Sequence, residues 1–187
     1  MEVLPEDVHI REASLRDLPE YTKLLQRTYE SAYVDESIGF TKEKLSEDVF
    51  NTESTQNYLK SKLAPAQGQR TWLARRNGNL IGAITVTDHG HEAEISAFYV
   101  APEHQGKGLG KQLWNRAVHF AGDKDIVLDL FAHNTNAIEM YRHLGFEIDT
   151  TKGENGVFHR HWEEWPEGYK VKAYYMRRSA KNERGGT

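Results

Sequence analysis

The sequence predicts an α/β fold: one mixed, mostly antiparallel sheet of about seven strands, with helices on its faces. Three observations carry this. Segments that alternate apolar and polar residues are interleaved with segments whose apolar residues recur at helical spacing. "RTWLARRNGNLIGAITVTDHG" is two strand-like runs joined by Asn77-Gly78, a strong hairpin signal. "DIVLDLFA" is a nearly continuous apolar run between two helical segments, as a strand covered on both faces requires.

In order, "VHIREAS" alternates and predicts the first strand. The helix "LRDLPEYTKLLQRTYESAY" follows, with Ser14 or Asp17 placed to cap it and Leu18, Tyr21, Leu24, Leu25 and Thr28 at helical spacing. A second helical zone covers roughly Thr41 to Leu63, broken near "NTEST", and "APAQGQ" is a loop. After the hairpin, "AEISAFYVAP" is a strand stopped by Pro102. The stretch "HQGKGLGKQL" opens a helix through about Ala121, with Leu109, Leu113, Ala117 and Phe120 on one face. "NTNAIEMYRHLGF" is a short helix that Gly145 is placed to end. "FEIDTTKG" and "YKVKAYYMRRS" alternate like paired antiparallel strands, separated by the insertion "ENGVFHRHWEEWPEG". The core of this domain is expected over about 8–178, with a flexible polar tail over 179–187.

The 187 residues suit one domain, and 38% hydrophobic against 28% charged residues suit a packed core. A net charge of −4 counts against a nucleic-acid binder, which usually shows a basic face. Cysteine is absent, which excludes disulfides, thiolate metal sites and a cysteine nucleophile. The first ten residues carry acidic groups and no long apolar run, and no segment is long enough to span a bilayer, so a cytoplasmic protein without a membrane partner is expected. "His89-Gly90-His91" and "His159-Arg160-His161" have close spacing but no accompanying HExxH, so no metal is expected.

Three glycines in five residues, Gly106, Gly108 and Gly110, stand between a strand and a helix. This is not a P-loop: Gly110-Lys111 is followed by Gln112, and Gln105 stands five positions before Gly110. It is not a dinucleotide fingerprint either, since GxGxG is one residue short of GxGxxG. Such a turn still converges several backbone N–H groups on one point, beside the positive end of a helix dipole. It suits a phosphate or pyrophosphate, or else it is simply a tight turn.

The segment Gln105-Gly106-Lys107-Gly108-Leu109-Gly110 resembles the Q/R-x-x-G-x-G/A motif of the GCN5-related N-acetyltransferases, the acetyl-CoA-dependent GNAT superfamily. Asn134 to Phe146 resembles that family's N-x-x-A-x-x-x-Y-x-x-x-G-F segment, in the same order along the chain. The resemblance covers about Val8 to Arg178. The region "TYESAY…IGFT…VFNTEST" is similar to the polyamine-acetylating PaiA-like branch.

The resemblance implies a GNAT fold whose central parallel strands splay, here beyond Tyr99, with coenzyme A between them. It implies that N–H groups from Gln105 through Gly106, Lys107, Gly108 and Leu109 to Gly110 hold the pyrophosphate. The backbone of Phe98, Tyr99 and Val100 would pair with the pantetheine arm and polarise the thioester carbonyl. Asn134 would contact the arm from the opposite side. Tyr141 would lie near the sulfur, able to protonate the leaving thiolate.

The implied chemistry is acetyl transfer from acetyl-CoA to a primary amine. An alkyl amine with a pKa near ~10.4 arrives protonated, so a proton acceptor is needed. Glu94 and Glu92, at the start of the "AEISAFYV" strand and sharing side-chain parity, are the candidates. For the acceptor site, Tyr29 and Tyr33 at the end of the first helix and Asp35 and Glu36 after it join Trp162, Glu163, Glu164, Trp165, Glu167 and Tyr169 in the insertion. Aromatic faces and carboxylates suit a cationic amine. Polyamines, a protein N-terminus or lysine, and aminoglycosides stay open as acceptors. So do a non-catalytic acyl-CoA-binding module and a homodimer.

Overall fold

The computed structural model describes residues 7–180. The expected tail lies, from residue 181 onward, outside the described residues. The elements are β1 (Val8–Glu12), α1 (Leu18–Tyr33), α2 (Glu47–Phe50), α3 (Glu53–Leu63), β2 (Gln69–Arg76), β3 (Asn79–Asp88) and β4 (Glu92–Val100). Then come α4 (Leu109–Ala121), β5 (Asp125–Phe131), α5 (Thr135–His143), β6 (Glu147–Ile148), β7 (Val157–Arg160) and β8 (Val171–Arg178). Among the described residues, no helix is long and apolar enough to cross a membrane.

The strands form one sheet in the order β1-β2-β3-β4-β5-β8-β6, with β7 also paired to β8. Every pairing is antiparallel except β4 with β5. There are eight strands where about seven were expected. The extra one, β7, lies in the insertion and pairs Val157–Arg160 with Val171–Tyr174. Four residues are too few to show a period.

Strand alternation divides the core in two. On one face Trp72, Ile84, Val86 and Leu128 pack with Leu113 and Trp114 of α4 and Tyr141 of α5. On the other, Leu73, Ala83 and Phe131 pack with Tyr21, Leu24 and Leu25 of α1 and Leu59 and Leu63 of α3. The break between α2 and α3 falls at Asn51-Thr52, where Thr52 caps α3 by accepting the Thr55 N–H.

Ser14 and Asp17 form a capping box around the 3-10 turn Leu15–Asp17 that leads into α1; Asp17 is the N-cap of α1, but its side chain caps no N–H of that helix. The Asp17 carboxylate accepts from the Ser14 N–H at 2.9 Å and the Ser14 hydroxyl at 3.1 Å. It also meets the guanidinium groups of Arg11 and Arg75. Burial pushes its pKa up, but these hydrogen bonds outweigh burial and hold it well below the ordinary carboxylate range. A depressed carboxyl contributes stability in full above its unfolded pKa near ~3.9 and loses it as pH falls toward the folded value. Asp17→Asn is therefore expected to cost about 3 kcal/mol at pH 7, because it leaves Arg75 without its buried anion. The gap to wild type should narrow as pH drops below about 5. Urea unfolding of both proteins at pH 7 and at pH 3 checks this, and an equal gap at both values would refute it.

The feature that positions the site is a fork. β4 and β5 pair only at Glu92↔Asp125, Ala93↔Ile126 and Glu94↔Val127. In the β3–β4 ladder, Thr85 faces Ala97 while Val86 faces Ile95, so Ser96 is an extra residue, a β-bulge. A bulge bends its strand, and here it turns β4 away from β5. The strands thus part after Glu94, earlier than the expected point beyond Tyr99.

Candidate active site

The fork opens onto two cavities. The first, of about 530 Å³, is lined by Phe98, Tyr99 and Val100 of β4, by Gln105, Gly106 and Gly110 of the glycine turn, and by Asn134 and Tyr141. Eight of the residues expected at the donor site therefore share one groove.

Gly106 and Gly108 have φ of +70° and +80°, the left-handed region that side chains resist. Gly108 is the N-cap of α4, and no side chain caps it. The first N–H groups of a helix have no partner within the helix, so this end presents donors. A β-carbon added at Gly106 would meet nothing within 4 Å. Backbone conformation demands the glycine, and the space above it is open for a ligand. At Gly110 a β-carbon would make ordinary contact with Phe98 at 3.7 Å.

Lys107, Gly108 and Leu109 are not part of the groove lining. The Lys107 ammonium donates to the Glu103 carbonyl at 2.8 Å, and the Leu109 side chain is in the core. These three bear on the groove through backbone geometry alone. Asn134 lines the groove and also caps α5, accepting the Ala137 N–H at 3.2 Å. Tyr141 on α5 is buried, with its ring centroid 6.4 Å from Phe98 and 5.4 Å from Phe146. Burial, with the nearby Tyr33 and Asp129, pushes its hydroxyl pKa up, so the hydroxyl keeps its proton.

The second cavity, of about 480 Å³, has an aromatic wall of Tyr29, Tyr33, Phe50, Tyr58, Tyr99 and Trp162. The Tyr29 and Tyr99 hydroxyls are 2.8 Å apart, and Tyr29 stacks on Trp162. Burial raises the pKa of Tyr29, Tyr33 and Tyr99, that of Tyr33 to about 12. Four carboxylates, Glu94, Asp129, Glu163 and Glu164, line the cavity beside one arginine, Arg160. Glu164 accepts from the hydroxyls of Thr52 and Thr55 at 2.9 and 3.0 Å, which ties the insertion to the start of α3. The two cavities share Tyr33, Ile95, Ser96, Tyr99, Asp129 and Leu130. They are two arms of one site that meet in the fork.

The proposed proton acceptors separate. Glu94 lines the second cavity, with Oε2 2.8 Å from His89 Nε2. Glu92 lines neither cavity. Its carboxylate is held by Lys152 at 2.8 Å and by Arg177 at 2.7 Å. Burial pushes its pKa up, but hydrogen bonds from these two cations outweigh that and hold it low; its place outside both cavities removes it from the reacting groups. Arg177 reaches further, to Asp125 at 3.1 Å and Asp149 at 2.9 Å. Of the expected acceptor-site residues, Tyr29, Tyr33, Trp162, Glu163 and Glu164 line the cavity. Glu36 does not: it is exposed on a short 3-10 turn with Asp35 before it. Trp165 is buried against Phe40 and Phe131 and acts as core.

Sequence reasoning missed Tyr58, Ser96, Asp129 and Arg160. Asp129 had a signal: it is the one charge inside the run Ile126–Phe131. Among the described residues, no group of three or more His, Asp or Glu is arranged to hold a metal ion.

A model of the acetyltransferase (GNAT) family matches residues 22–146. The thialysine N-epsilon-acetyltransferase of Sus scrofa is 25% identical over 150 residues, which cover 79% of this chain and 88% of that protein. The chloroplastic GCN5-related N-acetyltransferase 2 of Arabidopsis thaliana is 41% identical over 81 residues, covering 42% of this chain and 31% of that protein. The matched stretch spans between 22% and 34% of the length of the first curated relatives. Among solved structures, the PaiA N-acetyltransferase of Thermoplasma acidophilum, determined in complex with coenzyme A, superposes with a TM-score of 0.68. It shares 18% identity and covers 92% of this chain and 98% of its own, a likeness of fold. With its forked sheet, its glycine turn and more than half its length under the family model, the chain belongs to the acetyltransferase (GNAT) family.

Proposed function

We propose that this protein transfers an acetyl group from acetyl-CoA to the primary amine of a small cationic molecule, polyamines being one such class. The observation that carries this is the junction of two chemically different cavities at the β4–β5 fork. The first suits coenzyme A: open space over Gly106, uncapped helix N–H groups for a pyrophosphate, and unpaired strand edges for an amide-bearing arm. The second suits an ammonium ion, with aromatic faces and four carboxylates against one arginine.

The residues then have distinct tasks. Backbone N–H groups from Gln105 to Gly110 hold the phosphates. The free edge of β4 from Phe98 to Val100 aligns the acyl group and polarises its carbonyl. Tyr141, protonated because it is buried, donates to the departing sulfur. Trp162, Tyr29 and Tyr33 hold the alkyl chain of the acceptor, and Glu94 and Glu163 attract its charge.

Thiol release from acetyl-CoA is the test, over a panel of polyamines, amino acids, peptides and aminoglycosides. Turnover is expected to be fastest with acceptors carrying more than one positive charge, and to weaken as salt screens the carboxylates. Tight coenzyme A binding without thiol release on any amine would make the protein a binding module instead.

A further inference from the structure

We propose that Asp129 is the catalytic carboxylate that takes the proton from the acceptor ammonium, and that Arg160 is its positioning residue. This rests on the amine-acetylating reading above. Asp129 lines both cavities, whereas Glu94 lines only the acceptor cavity and Glu92 neither. The proton must be removed where donor and acceptor meet, and that place is the shared wall.

The fork explains the placement. Val127 is the last residue of β5 paired with β4, so Asp129, two residues on, has the same strand parity just past the split. Across from it in sequence register stands the bulge residue Ser96, which also lines both cavities. The Ser96 hydroxyl is buried and has no hydrogen-bond partner in the protein. A buried orphan of this kind calls for a polar ligand group. Arg160 on β7 pairs with Asp129, and its guanidinium lies over Phe131 at 5.1 Å and Phe158 at 5.3 Å. Those rings fix the arginine, and the arginine fixes the carboxylate. Tyr33 of α1, Tyr58 of α3 and Tyr141 of α5 also feel the Asp129 charge.

The step balances as follows. The ammonium gives one proton to Asp129. The freed nitrogen lone pair forms the N–C bond at the thioester carbonyl carbon, and the C–S bond breaks with its electron pair going to sulfur. The Tyr141 hydroxyl supplies the sulfur's proton, and Asp129 returns its proton to the Tyr141 oxygen. The second proton on nitrogen leaves to water, so the net products are the amide, the free thiol and one proton.

The test compares two acceptors. One is the alkyl amine that turns over fastest in the thiol-release panel. The other is its analogue with two fluorines on the carbon next to the reacting CH₂, which arrives largely neutral at pH 8. On the alkyl amine, Asp129→Asn is expected to lose about 100- to 10,000-fold in kcat. On the fluorinated amine the loss should shrink to about tenfold or less, because no proton need be taken first. Glu94→Gln should lose similar, smaller factors on both. Because Asp129→Asn leaves Arg160 unpaired, the double variant Asp129→Asn/Arg160→Met is assayed alongside, with coenzyme A affinity by calorimetry as the check on folding. An equal loss on both amines, or the selective pattern in Glu94→Gln, overturns the assignment. So does loss of coenzyme A binding in both Asp129 variants, which would make the pair structural. If wild type acetylates no amine at all, the underlying reading falls with it.

Discussion

Tyr141→Phe is expected to lower kcat by about 100- to 10,000-fold while leaving coenzyme A affinity within a few fold of wild type. The substitution removes one oxygen and keeps the ring. The ring is what packs: it lies among Phe98, Phe146 and the α4 side of the core. Folding and groove shape should therefore survive. The hydroxyl differs because it is held protonated by burial and stands in the donor groove. A proton given to sulfur only as the C–S bond breaks acts in the transition state and shows in kcat rather than KM. Steady-state kinetics on the best amine, with calorimetry for coenzyme A, separate the two quantities. A mutant with full kcat would leave Tyr141 as a wall of the groove and nothing more.

Gly108→Val is expected to weaken coenzyme A binding by at least about 100-fold. A β-branched residue at φ +80° carries backbone strain of about 1–3 kcal/mol, which the chain relieves by re-forming the turn. Gly108 is the N-cap of α4, so any re-forming moves the N–H groups that follow it. Convergence of those donors is the basis of anion binding at a helix start, and it is lost once they point apart. Gly110→Ala is the control. Its β-carbon would make only ordinary contacts with Phe98 and Val100, inside a helix where alanine is favoured. Calorimetry of both variants, with their thermal midpoints, decides the matter. Equal affinity in Gly108→Val and wild type would remove the glycine turn from phosphate binding.

What the sequence made legible was backbone with narrow requirements. Gly106 and Gly108 need left-handed conformations that few residues tolerate, so their spacing between strand and helix could be recognised. Asn134 caps α5 and Tyr141 sits seven residues on, a spacing set by the helix itself. The acceptor arm was harder. Tyr58 and Arg160 come from α3 and β7, elements far apart in the chain that only the folded sheet brings together. Ser96 was hidden for another reason: a bulge resets strand alternation, so parity counted from Glu92 and Glu94 no longer says which way the later residues point. Glu92 looked equivalent to Glu94 by that same parity, yet Lys152 and Arg177, from distant segments, claim it.

That cluster of charges has a mechanical consequence. Glu92 and Asp125 are the first residues paired across β4 and β5, and Arg177 of β8 grips both, together with Asp149. Two strands that diverge are like a split log: without a rivet at the end of the cut, the cleft either closes or runs on. Arg177 is the rivet. It pins the strands at the closed end of their three-pair ladder, two residues before they part, and the bulge at Ser96 lies just past the split. The width of the wedge is thus set by the protein's own ion pairs and strand geometry, which lowers the cost of ordering the strand edges that a bound molecule pairs with.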